Sequence, residues 1–388
     1  MRIIGMMSGT SYDAIDAAAA DVRLEGGELV LTPLGMVSTG YPDDLKTAIA
    51  DALPPATTSF ADVCRLDTRI GQEFAELAHR ANGELCGGQA DLVASHGQTV
   101  YHWVEAGAVL GTLQIGQPAW IAERTGCPVV ADFRPRDVAA GGQGAPLVSI
   151  VDALWLQGRP GIAVAVNLGG IANITVAGAD PVAFDTGPAN ALIDAAVREQ
   201  SGGAETFDRD GRRAASGRVN GPLLDRFLAE PYYARRAPKT TGKELFHLDY
   251  LTQVMNQLPP IGDDDVIATL TALTARTVAD AVRGAGATEL IASGGGTLNP
   301  TLMAMIRAEL PELTVYSSDD LGLPSAAKEA YAFAVLGFLT VHNLPATVPS
   351  CTGAGHPSLL GSVTPGRHGL PRPALPDAPP VRLAIGRP

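Results

Sequence analysis

Two short strands that each run into a glycine turn and come straight back constrain this chain more than any other feature. The first is Arg2-Ile3-Ile4-Gly5-Met6-Met7-Ser8, which turns through Gly9-Thr10-Ser11-Tyr12-Asp13 and returns from Ala14-Ile15-Asp16 to Val22. The second runs from Ile162 to Val166, turns at Asn167-Leu168-Gly169-Gly170-Ile171-Ala172-Asn173, and returns through Ile174-Thr175-Val176. A strand, a small-residue turn and a returning strand read as a β-hairpin whose tip lets another group come close to the backbone. Consecutive peptide N–H groups at such a tip, with Ser and Thr hydroxyls beside them, form a cradle for phosphate oxygens. A lone glycine turn is ordinarily just a turn. Two of them opening two halves of one chain point to a duplicated α/β ATPase with a nucleotide in the cleft between the halves.

The length of 388 residues is too great for one ordinary core and fits two domains. With 46% hydrophobic and 18% charged residues, the chain reads as globular rather than disordered. A formal charge of −13 argues against nucleic acid or an anionic membrane as the main partner. It leaves room for a phosphate ligand, because a cleft can be locally positive inside an acidic protein. Cys64, Cys86, Cys127 and Cys351 form no CxxC pair, which suits reduced thiols in a cytoplasmic protein. The histidines show no metal-ligand spacing, so a structural transition-metal site is not expected. No stretch approaches the roughly 20 apolar residues of a membrane span, and no secretory signal opens the chain. The expectation is a soluble, cytoplasmic protein.

Along the chain, strands alternate with helices, which predicts α/β layers with mixed sheets flanked by helices. Ala61–Cys86 carries Val63, Leu66, Ile70, Phe74 and Leu77 at helical spacing. Asp91–Ser95 is a short buried strand ending in His96-Gly97-Gln98-Thr99, and Val129-Val130 leads into Asp132-Phe133-Arg134. Ala139–Pro146 reads as a hinge or active-site loop. The expected division is 1–145 as an N-terminal domain with the first phosphate loop and 146–365 as a C-terminal domain with the second. Residues 201–262 read as a peripheral insertion, and 366–388 as a Pro-rich mobile tail.

Several polar residues stand where a strand ends or a helix begins, the usual ligand position in α/β proteins. Asp185 follows Val182-Ala183-Phe184 and leads through Thr186-Gly187-Pro188 to a helix. It reads either as a helix N-cap or, beside the second glycine turn, as a functional carboxylate. Glu329 lies on an otherwise apolar helix, so it either reaches solvent or serves a cleft. Arg134 and Arg136 are either exposed or poised to fix carboxylates and phosphates bidentately. His96 is equally consistent with a satisfied core histidine. Position alone decides none of these.

The order of motifs goes further. Gly5-Met6-Met7-Ser8-Gly9-Thr10-Ser11-Tyr12-Asp13, Ser95-His96-Gly97-Gln98-Thr99, Gln114-Ile115-Gly116-Gln117-Pro118 and Asp132-Phe133-Arg134 through Gly144-Ala145-Pro146-Leu147 follow one another. Asn167–Asn173, Phe184-Asp185-Thr186-Gly187-Pro188, Ser293-Gly294-Gly295-Gly296 and Lys328-Glu329-Ala330 continue the series. In these segments, over roughly residues 1–365, the chain resembles the anhydro-N-acetylmuramic acid kinase family, with a two-domain duplicated actin/hexokinase-like ATPase fold. Two departures are Ala14, where the family pattern usually has glycine, and the Pro-rich tail.

The resemblance implies an ATP-dependent kinase of 1,6-anhydro-N-acetylmuramic acid, a recycled cell-wall sugar. In one event such an enzyme hydrolyses the anhydro bridge and phosphorylates O6, giving N-acetylmuramic acid 6-phosphate and ADP. By the same resemblance Gly9, Thr10, Ser11, Tyr12, Asp13, Ala14, Ile15 and Asp16 hold phosphates together with Gly169 and Gly170. Ser293, Gly294, Gly295, Gly296 and Thr297 flank the adenosine. Asp185 matches the catalytic base, and His96, Arg134 and Glu329 are carried over as substrate-binding residues. Asp13 or Asp16 holds water around a magnesium ion, which is expected because the phosphates of ATP must be neutralised and bridged. Family members are often dimers, so a homodimer is implied. Two rival readings are another sugar or carboxylate kinase of the same fold, and a nucleotide-gated binding protein.

Overall fold

Both expected hairpins form, and each founds a sheet. A computed structural model describes every residue except 11, 106–107, 238, 243–244 and 388. Its strands are β1 Arg2–Ser8, β2 Ala14–Glu25, β3 Glu28–Gly40, β4 Leu92–Glu105, β5 Ala108–Ile115, β6 Val129–Ala131 and β7 Ala163–Leu168. They continue with β8 Ile171–Val176, β9 Val182–Pro188, β10 Glu289–Ser293, β11 Thr314–Ser317, β12 Ser362–Thr364 and β13 Arg382–Ile385. One sheet runs β12-β6-β4-β1-β2-β3-β13 with β5 on β4, and the other runs β11-β10-β7-β8-β9.

The duplication is visible in this topology. In the first sheet β1, β2 and β3 form an antiparallel meander, and β4 then β6 extend it in parallel beyond β1. In the second sheet β7, β8 and β9 form the same meander, and β10 then β11 extend it in parallel beyond β7. The five-strand order and every pairing sense are repeated. Each glycine turn therefore joins the first two strands of its own sheet.

In the first unit, Met1–Gln157 with Ala327–Pro388, strand alternation sends Ile4 and Met6 to one face and Ile3 and Gly5 to the other. Ile4 and Met6 bury against Leu66, Ile70, Phe74 and Leu77 of helix Phe60–Cys86. Ser59 caps the start of that helix by accepting from Asp62 N–H, and Gly87, at φ +59°, ends it. Helix Lys328–Val341 packs on β1, β2 and β4. A Cβ on Gly5 would overlap the Ala330 carbonyl oxygen, and one on Gly337 would stand 2.7 Å from Ala94 Cβ. Strand and helix thus approach through a glycine on each.

In the second unit, Gly158–Ala326, the sheet buries Val164, Val166, Ile174 and Leu290 against Val278 and Val282 of helix Asp263–Gly284. Leu302 and Ile306 of helix Pro300–Glu309 complete that core. A separate core gathers Leu192, Val197 and Val266 with Leu223, Phe227, Tyr232 and Phe246.

Three sequence expectations change. The first unit extends to Gln157 rather than ending near 145, and the chain from Ala327 returns to it because helix Lys328–Val341 covers its sheet. Residues 201–262 are not a peripheral appendage, since their aromatic side chains build a core of the second unit. The stretch 366–388 does not end as a loose tail. Its β13 pairs in parallel with β3, Arg382 opposite Glu28, and Arg382 Nε lies 2.8 Å from the Glu28 carboxylate. An open sheet edge presents unpaired peptide groups, and β13 occupies the one that β3 leaves.

Candidate active site

The first glycine turn is held from below by side chains. Tyr12 sits at φ +45°, an unfavourable region for a bulky residue, and its N–H donates to Gly9 O at 3.0 Å. Gln98 on β4 is buried beneath the turn. Its Oε1 lies 2.7 Å from Ser8 Oγ and 3.2 Å from Tyr41 Oη, while its Nε2 donates to Gly9 O and Thr99 O, both at 3.1 Å. Ala14, the departure from the family pattern, opens β2 in extended backbone opposite Gly40, so a side chain is accommodated there. Asp13 is exposed and lies 3.7 Å from Lys46 Nζ. Asp16 is half-buried on β2, and desolvation pushes its carboxyl up, partly offset by the Ser38 hydroxyl. Thr10 and Ile15 belong to the same hairpin, and Ser11 lies outside the described residues.

A second group in the same unit centres on Arg134, in the first turn of helix Phe133–Ala139. Its Nε donates to His96 Nε2 at 2.8 Å, and its Nη1 donates to Gly144 O at 2.7 Å. His96 Nδ1 is 2.9 Å from Gly97 O. An arginine Nε always carries its hydrogen and a carbonyl only accepts, so the imidazole is the neutral Nδ1–H tautomer. Burial, then the neighbouring Arg134 charge, pushes the His96 pKa down to about 3. Phe333 packs on the ring at 4.8 Å. Burial lowers the Arg134 pKa, while the charges of Glu329 and Asp137 act to raise it. Glu329 lies in the first turn of helix Lys328–Val341, so Arg134 and Glu329 belong to one electrostatic group.

The expected hinge at 139–146 is tied into this group. Asp137, fully buried, accepts from Gly144 N at 2.7 Å and from Thr352 Oγ1 at 2.8 Å. Desolvation raises its pKa against those two hydrogen bonds and the Arg134 charge. Beside Glu329, Lys328 Nζ lies 2.6 Å from Asp152 Oδ1, and both side chains are buried. Arg136, on helix Phe133–Ala139 with Arg134, is exposed.

In the second unit two glycine segments lie side by side. The Gly169 carbonyl accepts from Asn190 N and Asn190 Nδ2, and the Gly170 carbonyl from Ala189 N and Ala191 N. That ties the β7–β8 turn to the start of helix Asn190–Gln200. Ser293 Oγ donates to Val166 O at 3.1 Å. Gly294, at φ +85°, stands so close to Asn167 and Leu168 that a Cβ would overlap them, and a Cβ on Gly296 would lie 2.6 Å from Leu168 Cβ. Gly295 has open space on the corresponding side, and Thr297 Oγ1 closes the turn onto Gly294 O at 2.7 Å.

Asp185 lies within β9, opposite Asn173 at a bulge in the β8–β9 ladder. The N-cap of the following helix is Ala189, so the capping alternative for Asp185 does not hold. Tyr232, Lys239 and Thr241 grip it instead. Asp185 N donates to Lys239 O at 3.0 Å, Tyr232 Oη donates to Asp185 O at 2.6 Å, and Thr241 N donates to Asp185 Oδ2 at 2.9 Å. Lys239 Nζ in turn donates to Tyr232 O and Tyr233 O, at 3.3 and 3.1 Å. Sequence reasoning missed Gln98, Asp137, Lys328, Tyr232, Lys239 and Thr241. The available signal was the polar run Lys239-Thr240-Thr241-Gly242, too small and hydrophilic to be core.

The family model for anhydro-N-acetylmuramic acid kinase matches residues 1–366. A protein of that name from Streptomyces avermitilis is 67% identical over 99% of this chain and 100% of its own length. One from Rhodococcus erythropolis is 61% identical over 98% of each chain. One from Caldanaerobacter subterraneus subsp. tengcongensis is 39% identical over 93% of this chain and 96% of its own. On these matches the chain belongs to the anhydro-N-acetylmuramic acid kinase family.

Proposed function

We propose that this protein opens the 1,6-anhydro bridge of 1,6-anhydro-N-acetylmuramic acid with water while passing the γ-phosphoryl group of ATP to O6. The products are N-acetylmuramic acid 6-phosphate and ADP, and the role is cell-wall sugar recycling. Family membership supports the substrate. The observation that carries the chemistry is Asp185, a strand-borne carboxylate gripped through its N–H, its carbonyl and Oδ2 by one neighbouring segment.

Cleaving a glycosidic bond normally takes a base to activate water and an acid to protonate the leaving oxygen. In this reaction the leaving oxygen, O6, is captured by phosphorus, so no proton donor is needed there. Asp185 takes the proton of the water that attacks C1. The O6 bridge occupies the β face, so water enters from the opposite side and the first product is the α-anomer. Arg134 pairs with the lactyl carboxylate, and Glu329 accepts a hydrogen bond from a sugar hydroxyl or amide.

The glycine segments fit a nucleotide in different ways. The turn at 9–16 and Gly169-Gly170 present backbone N–H groups to phosphates, and the compact Ser293–Thr297 turn flanks the adenosine. Among the described residues no group of three or more His, Cys, Asp or Glu side chains is assembled. A magnesium ion would be held there by one carboxylate, Asp13 or Asp16, through water. When bound, the ion would supply positive charge that neutralises the phosphates. The four cysteines are all free, which supports a cytoplasmic setting. No helix among the described residues is long and apolar enough to cross a membrane.

A single turnover in oxygen-18 water tests the reading. The label is expected on the anomeric oxygen of the sugar phosphate, in the α-anomer, with rapid quenching to outrun ring opening. Label in inorganic phosphate would mark plain ATP hydrolysis, and an unlabelled sugar phosphate an ordinary kinase.

A further inference from the structure

We propose that two residues of β4, His96 and Gln98, are positioning residues that serve the two substrates separately. His96 sets Arg134 for the sugar, and Gln98 sets the first glycine turn for the nucleotide. This rests on the reading of Arg134 as a sugar contact and of the Gly9 turn as a phosphate cradle.

Both His96 nitrogens are consumed inside the protein, Nδ1 by Gly97 O and Nε2 by Arg134 Nε. The ring has no polar atom left for a ligand, so any part it plays in substrate binding goes through the guanidinium. An apolar side chain would pack on Phe333 equally well. What the imidazole adds is an acceptor fixed in place by Gly97 and aimed at Arg134 Nε. With Nε on His96 and Nη1 on Gly144 O, the guanidinium plane is held at two points. Arg134 Nη2 makes no hydrogen bond among the described residues, so the held plane offers donors for a carboxylate fork. Pre-setting that fork removes an ordering cost from sugar binding.

Gln98 works on a different object. Its amide has two acceptor lone pairs and two N–H groups, and four neighbours engage them: Ser8, Tyr41, Gly9 and Thr99. The Gly9 carbonyl is drawn toward Gln98 and Tyr12 N–H. In a trans peptide the next N–H, that of Thr10, then points the other way, out of the turn. Gln98 therefore aims a backbone donor where the reading places phosphate. Gly97 between them, at φ +72° and with Ile115 O 2.7 Å from where its Cβ would be, lets one strand serve both partners.

The test measures Michaelis constants for ATP and for the anhydro sugar in the full chain. His96→Leu is expected to raise the sugar constant about 10-fold, the scale of one lost charge-assisted hydrogen bond, and to leave the ATP constant unchanged. In an Arg134→Ala background the same change should move the sugar constant by less than about two-fold, because its target is gone. Gln98→Leu should do the converse, raising the ATP constant and sparing the sugar. His96→Gln, whose amide oxygen can stand where Nε2 stood, should recover part of the loss. Should His96→Leu not fold, His96→Asn, too short to meet Arg134, carries the same cycle. A His96 effect that persists undiminished without Arg134, or that raises both constants equally, overturns the inference for His96. A Gln98→Leu variant that weakens the sugar instead overturns it for Gln98. If Arg134→Ala alone leaves the sugar constant unchanged, the reading of Arg134 itself falls, and the sugar half of the inference with it.

Discussion

Replacing Asp185 by Asn separates a base from a structural carboxylate, because the structure shows what the change spares. Two contacts on Asp185 run through its backbone, to Lys239 O and from Tyr232 Oη, and neither depends on the side chain. On the side chain, the contact from Thr241 N–H to Oδ2 needs only an acceptor, which an asparagine amide oxygen supplies. At these contacts the change should therefore cost no more than about 1 kcal/mol, the difference between a charge-assisted and a neutral hydrogen bond. Losing the proton acceptor should instead lower kcat by a factor on the order of 10² to 10⁴, roughly 2.7–5.4 kcal/mol at the barrier. The sugar KM should change little, since the missing interaction belongs to the transition state. ADP release gives kcat, calorimetric titration gives nucleotide affinity, and the thermal midpoint reports the fold. Near-normal turnover with an unshifted midpoint would refute the base assignment and leave Asp185 as a strand residue that anchors Tyr232, Lys239 and Thr241. A large drop in midpoint would show the anchoring to be charge-dependent and would refute the stability argument.

Removing one partner of the Lys328–Asp152 pair, 2.6 Å apart and buried, leaves a charge without its counterion. Lys328→Met should cost about 3–5 kcal/mol in urea unfolding, and the double change with Asp152→Leu should regain most of it; a single-variant loss under about 1 kcal/mol would contradict this. Stability should also fall as pH drops from 6.5 toward 3, because His96 stays neutral in the folded state down to about 3 while the unfolded chain takes up a proton near 6.5. The slope from this one group is at most about 1.4 kcal/mol per pH unit, and His96→Gln should remove it; wild type and variant running parallel through that window would show His96 to be protonated in the fold.

What the sequence disclosed are the places where the backbone itself must be unusual. Glycine turns between apolar strands mark hairpins whatever surrounds them, so both turns and the doubled plan were readable. Long amphipathic periodicity likewise announced helix Phe60–Cys86 to within a residue at its start. Partnership was harder, because it is set by contacts between distant segments. Asp137 meets Thr352 across 215 residues, and Asp185 meets Thr241 across 56. Nothing local to Lys239 or Thr241 says that their segment closes on a strand, so 201–262 reads as peripheral when only its composition is seen. The same reason hides the return of the chain at Ala327. An apolar helix has no address in the sequence, and here the address is written on its target by Gly5, where a side chain would collide with Ala330. A glycine inside an otherwise ordinary strand is thus evidence about a neighbour rather than about the strand. His96 follows that logic at the level of chemistry. Read alone it is equally a core residue or a ligand contact, and the structure makes it buried, neutral and bonded to the arginine assigned to the sugar.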